Sequence, residues 1–97
     1  MDLAIERREA DGVGVFTLTE GGSAIATLDY RRTDPRVVRI DFVEVSPRRR
    51  GEGLGQRLVA AAVDWARQDG LTLVPVCGFA RHVLESDAAF HDVLGRS

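Results

Sequence analysis

The stretch best suited to chemistry is a loop in which three arginines precede alternating glycines. It reads Arg48-Arg49-Arg50-Gly51-Glu52-Gly53-Leu54-Gly55. Glycine has no Cβ to keep a ligand away from the backbone and readily adopts positive φ, so neighbouring N–H groups can converge on one position. Guanidinium groups donate paired hydrogen bonds to phosphate oxygens. These residues predict a phosphate or pyrophosphate site; a flexible turn with solvated arginines is the alternative.

The elements on either side of this loop favour the phosphate site. The β-branched stretch 37–45 predicts a strand before it, and apolar residues at helical spacing from Leu54 to Trp65 predict a helix after it. The amino-terminal end of that helix adds partial positive charge. The loop lacks the Gly-Lys-Ser/Thr of nucleotide-triphosphate P-loops, and its G-x-G-x-G spacing differs from the G-x-G-x-x-G of dinucleotide-binding folds.

Alternating apolar residues predict an antiparallel meander of four strands up to this loop. The predicted strands cover residues 3–7, 13–19, 23–30 and 37–45. Downstream, Gly70 is placed to end the helix, and the apolar run 71–76 predicts a fifth strand buried on both faces. A strand–helix–strand order predicts a right-handed crossover, so the fifth strand should lie parallel to the fourth. Two short helical pieces are predicted after it, over residues 79–85 and 87–94.

Pro75 interrupts the pairing expected of the fifth strand. Proline removes a backbone donor from a β-ladder, so it occurs where pairing stops. The sequence therefore predicts that the fourth and fifth strands separate near this residue and leave a gap between them.

Length and composition predict one small domain over residues 1–97. The net charge is −2, and all 13 basic residues are arginine, with no lysine and no asparagine. This balance argues against nucleic-acid binding, and no apolar run approaches the ~20 residues that span a bilayer, so neither nucleic acid nor membrane is an expected partner. One cysteine cannot form an internal disulfide and favours a reducing compartment, the cytoplasm. The abundance of arginine, alanine, valine and glycine is typical of GC-rich bacterial genomes.

The motif residues together resemble the acetyl-CoA-binding segment of the GNAT superfamily of N-acetyltransferases. The matching pattern is Val43-x-Val45-x-Pro47-x-x-Arg50-Gly51-x-Gly53-Leu54-Gly55, and the R/Q-x-x-G-x-G/A signature fits from Arg48 or from Arg50. The segment Val74-Pro75-Val76-Cys77-Gly78-Phe79 is similar to the Pro-x-Cys segment of very short, single-domain GNAT-like proteins. The stretch Leu28-Asp29-Tyr30-Arg31 resembles the strand that precedes the motif in those proteins.

This resemblance implies an α+β fold, a minimal GNAT-like domain with a four-strand meander, a βαβ crossover and short C-terminal helices. It implies an acyltransferase that moves acetyl from acetyl-CoA to an amine of a small molecule or peptide. The pantetheine arm would enter between the fourth and fifth strands. The implied acetyl-CoA-binding residues are Val43, Val45, Arg48, Arg49, Arg50, Gly51, Glu52, Gly53, Leu54 and Gly55.

Glu44, three residues before Pro47, is the first catalytic candidate. A carboxylate on the fourth strand could deprotonate an amine directly or through a water. Many GNAT enzymes use a glutamate of this strand as general base, and the short relatives resemble this chain in having a glutamate here. An ion pair with an arginine of the following loop is the structural alternative.

Cys77, after the fifth strand, is the second catalytic candidate. A thiolate stabilised by positive charge or a helix amino terminus could accept an acetyl group covalently, and the short relatives also place a cysteine here. Packing in the core is the alternative, because free cysteines are usually buried. His82 and His91 lack the ligand partners of a metal site, so no metal is expected. Trp65, Phe79 and Phe90 are predicted to pack in the core.

A CoA-binding module without turnover is the alternative function. Many GNAT enzymes place a tyrosine after the fifth strand as general acid, whereas no tyrosine follows Tyr30 here and Phe79 cannot donate a proton. The paired helices that shape the acceptor site in full-length GNAT enzymes have no counterpart near the N-terminus. The acceptor pocket is therefore expected to be shallow.

Overall fold

A computed structural model describes residues 2–95 as a five-stranded sheet with two helices. The strands are β1 (Leu3–Ala10), β2 (Val13–Glu20), β3 (Ser23–Asp34), β4 (Val37–Val45) and β5 (Thr72–Pro75). The helices are α1 (Leu54–Asp69) and α2 (Gly78–Ser86), and short 3₁₀ turns cover Pro47–Arg49 and Ala88–Phe90. Met1, Arg96 and Ser97, which the predicted domain includes, lie outside the described residues.

The topology confirms the predicted α+β fold. The sheet order is β1-β2-β3-β4-β5. Strands β1 to β4 pair with one another in antiparallel fashion, and β5 lies parallel to β4. α1 connects these two parallel strands and ends at Asp69, where the amide of Gly70 donates to the carbonyl of Ala66. The four-strand meander, the helical crossover and the parallel fifth strand are therefore all as the sequence predicts.

β3 is longer than predicted. It continues past residue 30 to Asp34, because Arg31 and Arg32 still pair with β4. The Asp34-Pro35 sequence then forms the turn between β3 and β4. The proline therefore marks the end of the strand and does not interrupt it.

The helical piece predicted over residues 87–94 is present only as a short 3₁₀ turn over Ala88–Phe90. Further turns follow, in which the amides of Val93 and Leu94 donate to the carbonyls of Phe90 and His91, and Leu94 then lies beside Leu73 of β5. There the amide of Leu73 donates to the carbonyl of Val93, and the amide of Gly95 donates to the carbonyl of Leu73, both at 2.7 Å. The outer edge of β5 offers unpaired backbone groups, and these hydrogen bonds hold the end of the segment against the sheet, so that it does not continue as a regular helix.

The core lies between the helices and one face of the sheet. Buried side chains alternate along β2 and β3 and recur at helical spacing on α1. Phe16, Tyr30 and Trp65 form an aromatic cluster whose ring centroids are 5.0–5.7 Å apart. Ala80 and Leu84 of α2 belong to the same core, so both helices pack on this face. The opposite face of the sheet is left more exposed.

A β-bulge interrupts the pairing of β4 with β3. Tyr30 pairs with Ile40 and Asp29 pairs with Phe42, so Asp41 is an extra residue without a partner in the β3 register. Because side chains alternate along a strand, one extra residue reverses which of them face the core.

The bulge turns Glu44 away from the helices. Before it, the even-numbered Ile40 is fully buried; after it, the odd-numbered Val43 and Val45 pack against the core. Phe42 is 52% exposed and Glu44 is exposed as well. The catalytic candidate of β4 therefore lies on the face of the sheet that α1 and α2 leave open.

Candidate active site

β4 and β5 separate at Pro75, as the sequence predicts. The last paired residues are Ile40 and Pro75. Beyond them, the amides of Val76 and Cys77 both donate to the carbonyl of Ile40, at 2.9 and 3.2 Å. Within the part of the chain that is described, residues 41–45 of β4 therefore have no strand beside them on the β5 side. An extended ligand can bind such an edge as an added strand.

A cleft of 870 Å³ opens beside this part of β4 and reaches the loop before α1. The predicted site residues that line it are Val43, Glu44, Val45, Arg49, Arg50, Gly51, Gly53, Leu54 and Gly55. The other lining residues are Phe42, Pro47, Gln56 and Phe79. The predicted site residues Arg48, Glu52 and Cys77 are outside this lining. The sequence motif is thus brought together around one cleft, with these three residues beside it.

The glycines of the loop adopt backbone conformations that favour glycine. Gly51 has φ +87° and Gly53 has φ +75°. A Cβ placed on Gly51 would meet nothing within 4 Å, and one on Gly53 would approach only Gln56, at 4.0 Å. The space around both residues is therefore open to a ligand, and the need for glycine comes from the backbone angles and not from neighbouring protein atoms.

The amino terminus of α1 points its first amides toward the same loop. Gly53 occupies the N-cap position and has no side chain to accept their hydrogen bonds. The first helical hydrogen bond runs from the amide of Arg57 to the carbonyl of Gly53. Preceding amides in the first turn have no partner inside the helix, and a helix amino terminus in this state favours anions.

The three arginines of the loop differ in their surroundings. Arg48 and Arg50 are exposed, and Arg50 lines the cleft. The side chain of Arg49 is only 25% exposed and pairs with two carboxylates, Glu20 at 2.7 Å and Glu52 at 2.8 Å. The hydrogen bonds that Arg49 donates to Glu52 and Glu20 raise the pKa of its guanidinium, and they lower the pKa of each carboxyl. Sequence reasoning did not identify Glu20.

Carboxylates surround Glu44 on the open face of the sheet. Glu44 pairs with Thr27 of β3, and Asp29 lies two residues further along that strand on the same face. Burial raises the pKa of Asp29, and the negative charges of Glu44 and Asp41 add to the rise. Asp41 itself pairs with Arg39 at 2.5 Å. Asp29 is a site residue that sequence reasoning missed, because only the register of β3 against β4 brings it near Glu44.

Cys77 lies at the point where β5 gives way to α2. It is a free, partly buried cysteine in contact with the core and immediately precedes the first residue of α2. Its carbonyl accepts a hydrogen bond from the amide of Arg81 at 2.9 Å. Cys77 therefore lies beside the point where β4 and β5 separate. It stands at the amino terminus of a helix and also contacts the core, the two surroundings that the sequence offered as alternatives.

Phe79 is not the core residue that the sequence predicts. It is 38% exposed and lines the cleft from the side of α2. A Cβ on Gly55 would lie 2.8 Å from the Phe79 ring and 3.6 Å from Val43. Gly55 therefore allows α1, β4 and Phe79 to approach closely, and this aromatic ring forms part of the cleft wall.

Both histidines lie outside the cleft. His82 is exposed on α2, with its Nδ1 3.5 Å from the hydroxyl of Ser86. The Nε2–H of His91 donates to the carbonyl of Glu85 at 2.9 Å. Their hydrogen bonds connect parts of the C-terminal region to each other.

Comparison with known protein families identifies this architecture. A family model described as GCN5-related N-acetyl-transferase matches residues 15–93, well over half of the chain. The chain belongs to this family. The GCN5-related N-acetyltransferases are acetyl-CoA-dependent acyltransferases, and this membership confirms the resemblance to the GNAT superfamily. A search of curated protein sequences gives no match.

Solved structures of GCN5-related N-acetyltransferases are similar to this chain. A GCN5-like N-acetyltransferase candidate from Staphylococcus aureus is 30% identical, with a TM-score of 0.73 over 95% of this chain and 89% of that one. The ribosomal-protein-S18-alanine N-acetyltransferase from Escherichia coli is 20% identical, with a TM-score of 0.67 over 80% of this chain and 53% of that one. An aminoglycoside N-acetyltransferase in complex with CoA is 21% identical, with a TM-score of 0.61 over 79% and 67%. The chain thus spans most of the first protein and about half of the second.

The cleft fits the chemistry of acetyl-CoA. Its pyrophosphate would require converging donors, and the positive-φ glycines and the first amides of α1 are of this kind. Its pantetheine arm would require an extended, partly polar track, and the unpaired edge of β4 is of this kind. No helix among residues 2–95 is long and apolar enough to cross a membrane.

Proposed function

We propose that this GCN5-related N-acetyltransferase uses the cleft between β4 and α1 to transfer acetyl from acetyl-CoA to an amine, with Glu44 as general base. The observation that carries the proposal is the coincidence of two features at one place. The edge of β4 that is unpaired beyond Ile40 leads directly into the loop with Gly51 and Gly53 at positive φ. Backbone groups of one continuous segment, from the end of β4 into the loop, can therefore hold both the pantetheine arm and the pyrophosphate of acetyl-CoA.

The donor side of the cleft is built mainly from backbone. The edge of β4 over residues 41–45 binds the arm, and the loop amides with the start of α1 bind the pyrophosphate. Arg50 adds a charged donor at the cleft wall. Acetyl-CoA bound there supplies an acetyl group activated as a thioester. The contact between Phe79 and Gly55 keeps α2 and α1 together on the far side of the cleft.

The acceptor side is the open face of the sheet, where Glu44 lies. A primary amine is a cation at neutral pH, so the negative charges of Glu44 and Asp29 favour its approach. Glu44 takes the proton that the ammonium must lose before its nitrogen can attack the thioester carbonyl. The C–N bond then forms, the C–S bond breaks, and CoA leaves as a thiolate that takes up a proton released by the amine. Glu44 has no ion-pair partner among residues 2–95, in contrast to Asp41, so its carboxylate remains available for this role.

The acceptor class and setting extend this proposal. We assign residues 1–97 to one acetyl-CoA-binding domain, acting on a small-molecule or peptide amine in a bacterial cytoplasm. The similar proteins from Staphylococcus aureus and Escherichia coli support a bacterial source. The names of the similar enzymes include an aminoglycoside and a ribosomal-protein alanine as acceptors, one a small molecule and the other a protein residue.

The experiment that tests this function measures release of the CoA thiol with a panel of amines. Polyamines, aminoglycosides and peptides with free N-termini are incubated with acetyl-CoA and the wild-type protein. Turnover is expected with at least one acceptor, and Glu44→Gln should lower kcat by roughly 10²–10⁴-fold, as removal of a general base does. CoA affinity should stay close to that of the wild type.

A cysteine mechanism makes a different prediction in the same assay. If Cys77 carried the acetyl group, incubation without acceptor would leave a thioester that intact-mass spectrometry detects and hydroxylamine removes. We expect no such adduct and expect Cys77→Ala to retain most turnover. If an adduct forms and Cys77→Ser abolishes it, the first step would be attack of the Cys77 thiolate on the thioester and not direct attack of the amine with Glu44 as base. No turnover with any amine, together with no adduct, would overturn the acetyltransferase assignment.

A further inference from the structure

The Arg49 side chain connects two distant parts of the chain. Its Nη1 donates to Glu20 Oε1 at 2.7 Å and its Nη2 to Glu20 Oε2 at 3.4 Å. Its Nε donates to Glu52 Oε2 at 2.8 Å and its Nη2 to Glu52 Oε1 at 2.9 Å. These four hydrogen bonds use four of the five N–H groups of the guanidinium. We call this group of three side chains the Arg49 clamp.

The clamp joins the cofactor loop to the rigid part of the sheet. Glu20 is the last residue of β2, and Glu52 lies between the two positive-φ glycines, Gly51 and Gly53. Glycine residues lose more conformational freedom on ordering than any other residue, so a loop containing them needs fixed points to hold its amides in one direction. A guanidinium held bidentately by carboxylates on both sides fixes the relative orientation of the groups it joins.

We propose that Arg49 is a positioning residue: through Glu20 and Glu52 it holds the loop in the conformation that binds the phosphates, while Arg50 and the backbone contact the ligand. This inference rests on the proposed acetyl-CoA site. It divides the arginine triplet into Arg49, which lines the cleft but donates its hydrogen bonds to carboxylates of the protein, and Arg48 and Arg50, which are exposed. The sequence motif alone treats all three as phosphate ligands.

The competing assignment, in which Arg49 turns to the phosphates, predicts the opposite sign for a simple substitution. Glu20 would then compete for Arg49 and repel an anionic ligand. Replacing Glu20 by glutamine would remove that competition and a negative charge, so CoA would bind more tightly. The clamp predicts weaker binding, because the loop loses one of its two anchors even though the site becomes less negative.

The test measures the Kd of CoA by isothermal titration calorimetry for the wild type, Glu20→Gln and Glu52→Gln. The clamp predicts that each substitution raises Kd by roughly two- to fivefold, the range of a partly exposed ion pair. Arg49→Gln combined with Glu20→Gln should cost no more than Arg49→Gln alone, because the three residues act as a unit. Glu6→Gln removes an exposed glutamate of β1 in the same sheet and should leave Kd unchanged.

Turnover separates positioning from general loss of structure. At saturating acetyl-CoA, kcat of Glu20→Gln should stay within about twofold of the wild type, with the effect appearing in KM. All measurements are made well below the Tm of each variant; if Glu20→Gln does not fold, Glu52→Gln carries the test. A Kd that is unchanged or lower in the variants overturns the clamp. Absence of CoA binding by the wild type would instead overturn the proposed function itself.

Discussion

Gly53 combines two demands that only glycine meets together. It holds φ at +75° and it leaves open the space where the loop faces the cleft. Its neighbour in the motif, Gly55, serves packing instead, since a side chain there would press on Phe79. Glycines that look equivalent in the sequence therefore have separate physical reasons.

Gly53→Val should weaken CoA binding far more than it weakens folding. A β-branched residue at positive φ is strained, and its methyl groups would occupy the ligand side of the loop. We expect Kd to rise by at least about tenfold, which corresponds to roughly 1.4 kcal/mol. Calorimetric titration with CoA and a thermal melt of the same sample measure the two effects.

The matched control is Gly78→Ala. Gly78 also lies in open space near a helix start, but it is absent from the residues at positive φ. The Gly78→Ala variant should bind CoA with the same affinity as the wild type. Equal CoA affinity in Gly53→Val and Gly78→Ala would show that the loop does not approach the ligand.

The carboxylate of Asp29, next to the proposed site, is expected to lower the stability of the folded protein. Burial and the charges of Glu44 and Asp41 raise its pKa in the folded protein. A raised carboxyl pKa means that the charged form is disfavoured by folding, so stability is reduced at pH values above the folded pKa. That loss disappears below the ordinary value of 3.8, where the folded and unfolded chains both carry the proton.

Asp29→Asn should therefore raise Tm at pH 7 and have a shrinking effect as the pH falls toward the ordinary value. The same substitution should lower turnover, because it removes negative charge beside Glu44 on the acceptor face. Thermal melts from pH 3 to pH 8 test the first effect, with the exposed Asp64→Asn of α1 as control. A Tm that falls at pH 7 would show that Asp29 stabilises the fold.

Helices and strands were largely predictable because their periodicity is local. The meander, the start of α1 at Leu54 with its cap at Gly70, and the end of β-pairing at Pro75 follow from alternation, capping and the missing proline donor. The conformation of the segment 87–94 was not predictable, because it depends on hydrogen bonds to the outer edge of β5. The positions of Asp29 and Glu20 near the proposed site could not be predicted for the same reason, because strand register and tertiary contacts bring them there.

At the level of an element, β2 requires a glycine opposite an aromatic ring. Gly14 pairs with Tyr30, and a Cβ on Gly14 would overlap the Tyr30 ring. Tyr30 cannot move easily, because its hydroxyl bonds to Glu9 at 2.8 Å and to Arg7 at 2.9 Å. Its ring also packs against Phe16 and Trp65.

Gly14→Ala should consequently destabilise the protein by roughly 1–3 kcal/mol, the usual cost of overpacking a core. Urea unfolding of the variant and the wild type measures the difference. Because Gly14 is remote from the loop in sequence and pairs with β3, the Kd of CoA for the folded fraction should not change. A variant as stable as the wild type would mean that the aromatic cluster can rearrange around an added methyl group.

The molecule as a whole has few means of shaping an active site. It buries one core on one face of one sheet, and much of the other face stays open around Glu44. The loop, β4, α1 and Phe79 line the proposed donor side, whereas the Glu44 side chain is exposed on the face of the sheet that the helices leave open. Affinity should therefore come mainly from the CoA portion of the substrates.

Acetyl-CoA should stabilise the entire fold. Binding to the native state alone adds about 2.7 kcal/mol at a ligand concentration a hundredfold above Kd, which for a chain of this size shifts Tm by roughly 11–22 °C. A thermal-shift titration measures this. Adenosine 3′,5′-bisphosphate should compete, whereas NAD should not, and a flat response to millimolar acetyl-CoA would contradict the site.

The bulge at Asp41 acts as a change of phase in a strand that otherwise repeats every two residues. Half a period is inserted, so the inner and outer sides of β4 exchange over its last four residues. Deleting this single residue would keep every side chain of the proposed site in the protein. It would nevertheless turn the Glu44 carboxylate inward toward the helices and Val43 outward to solvent. One inserted residue thus decides on which side of the sheet an amine can meet the proposed base.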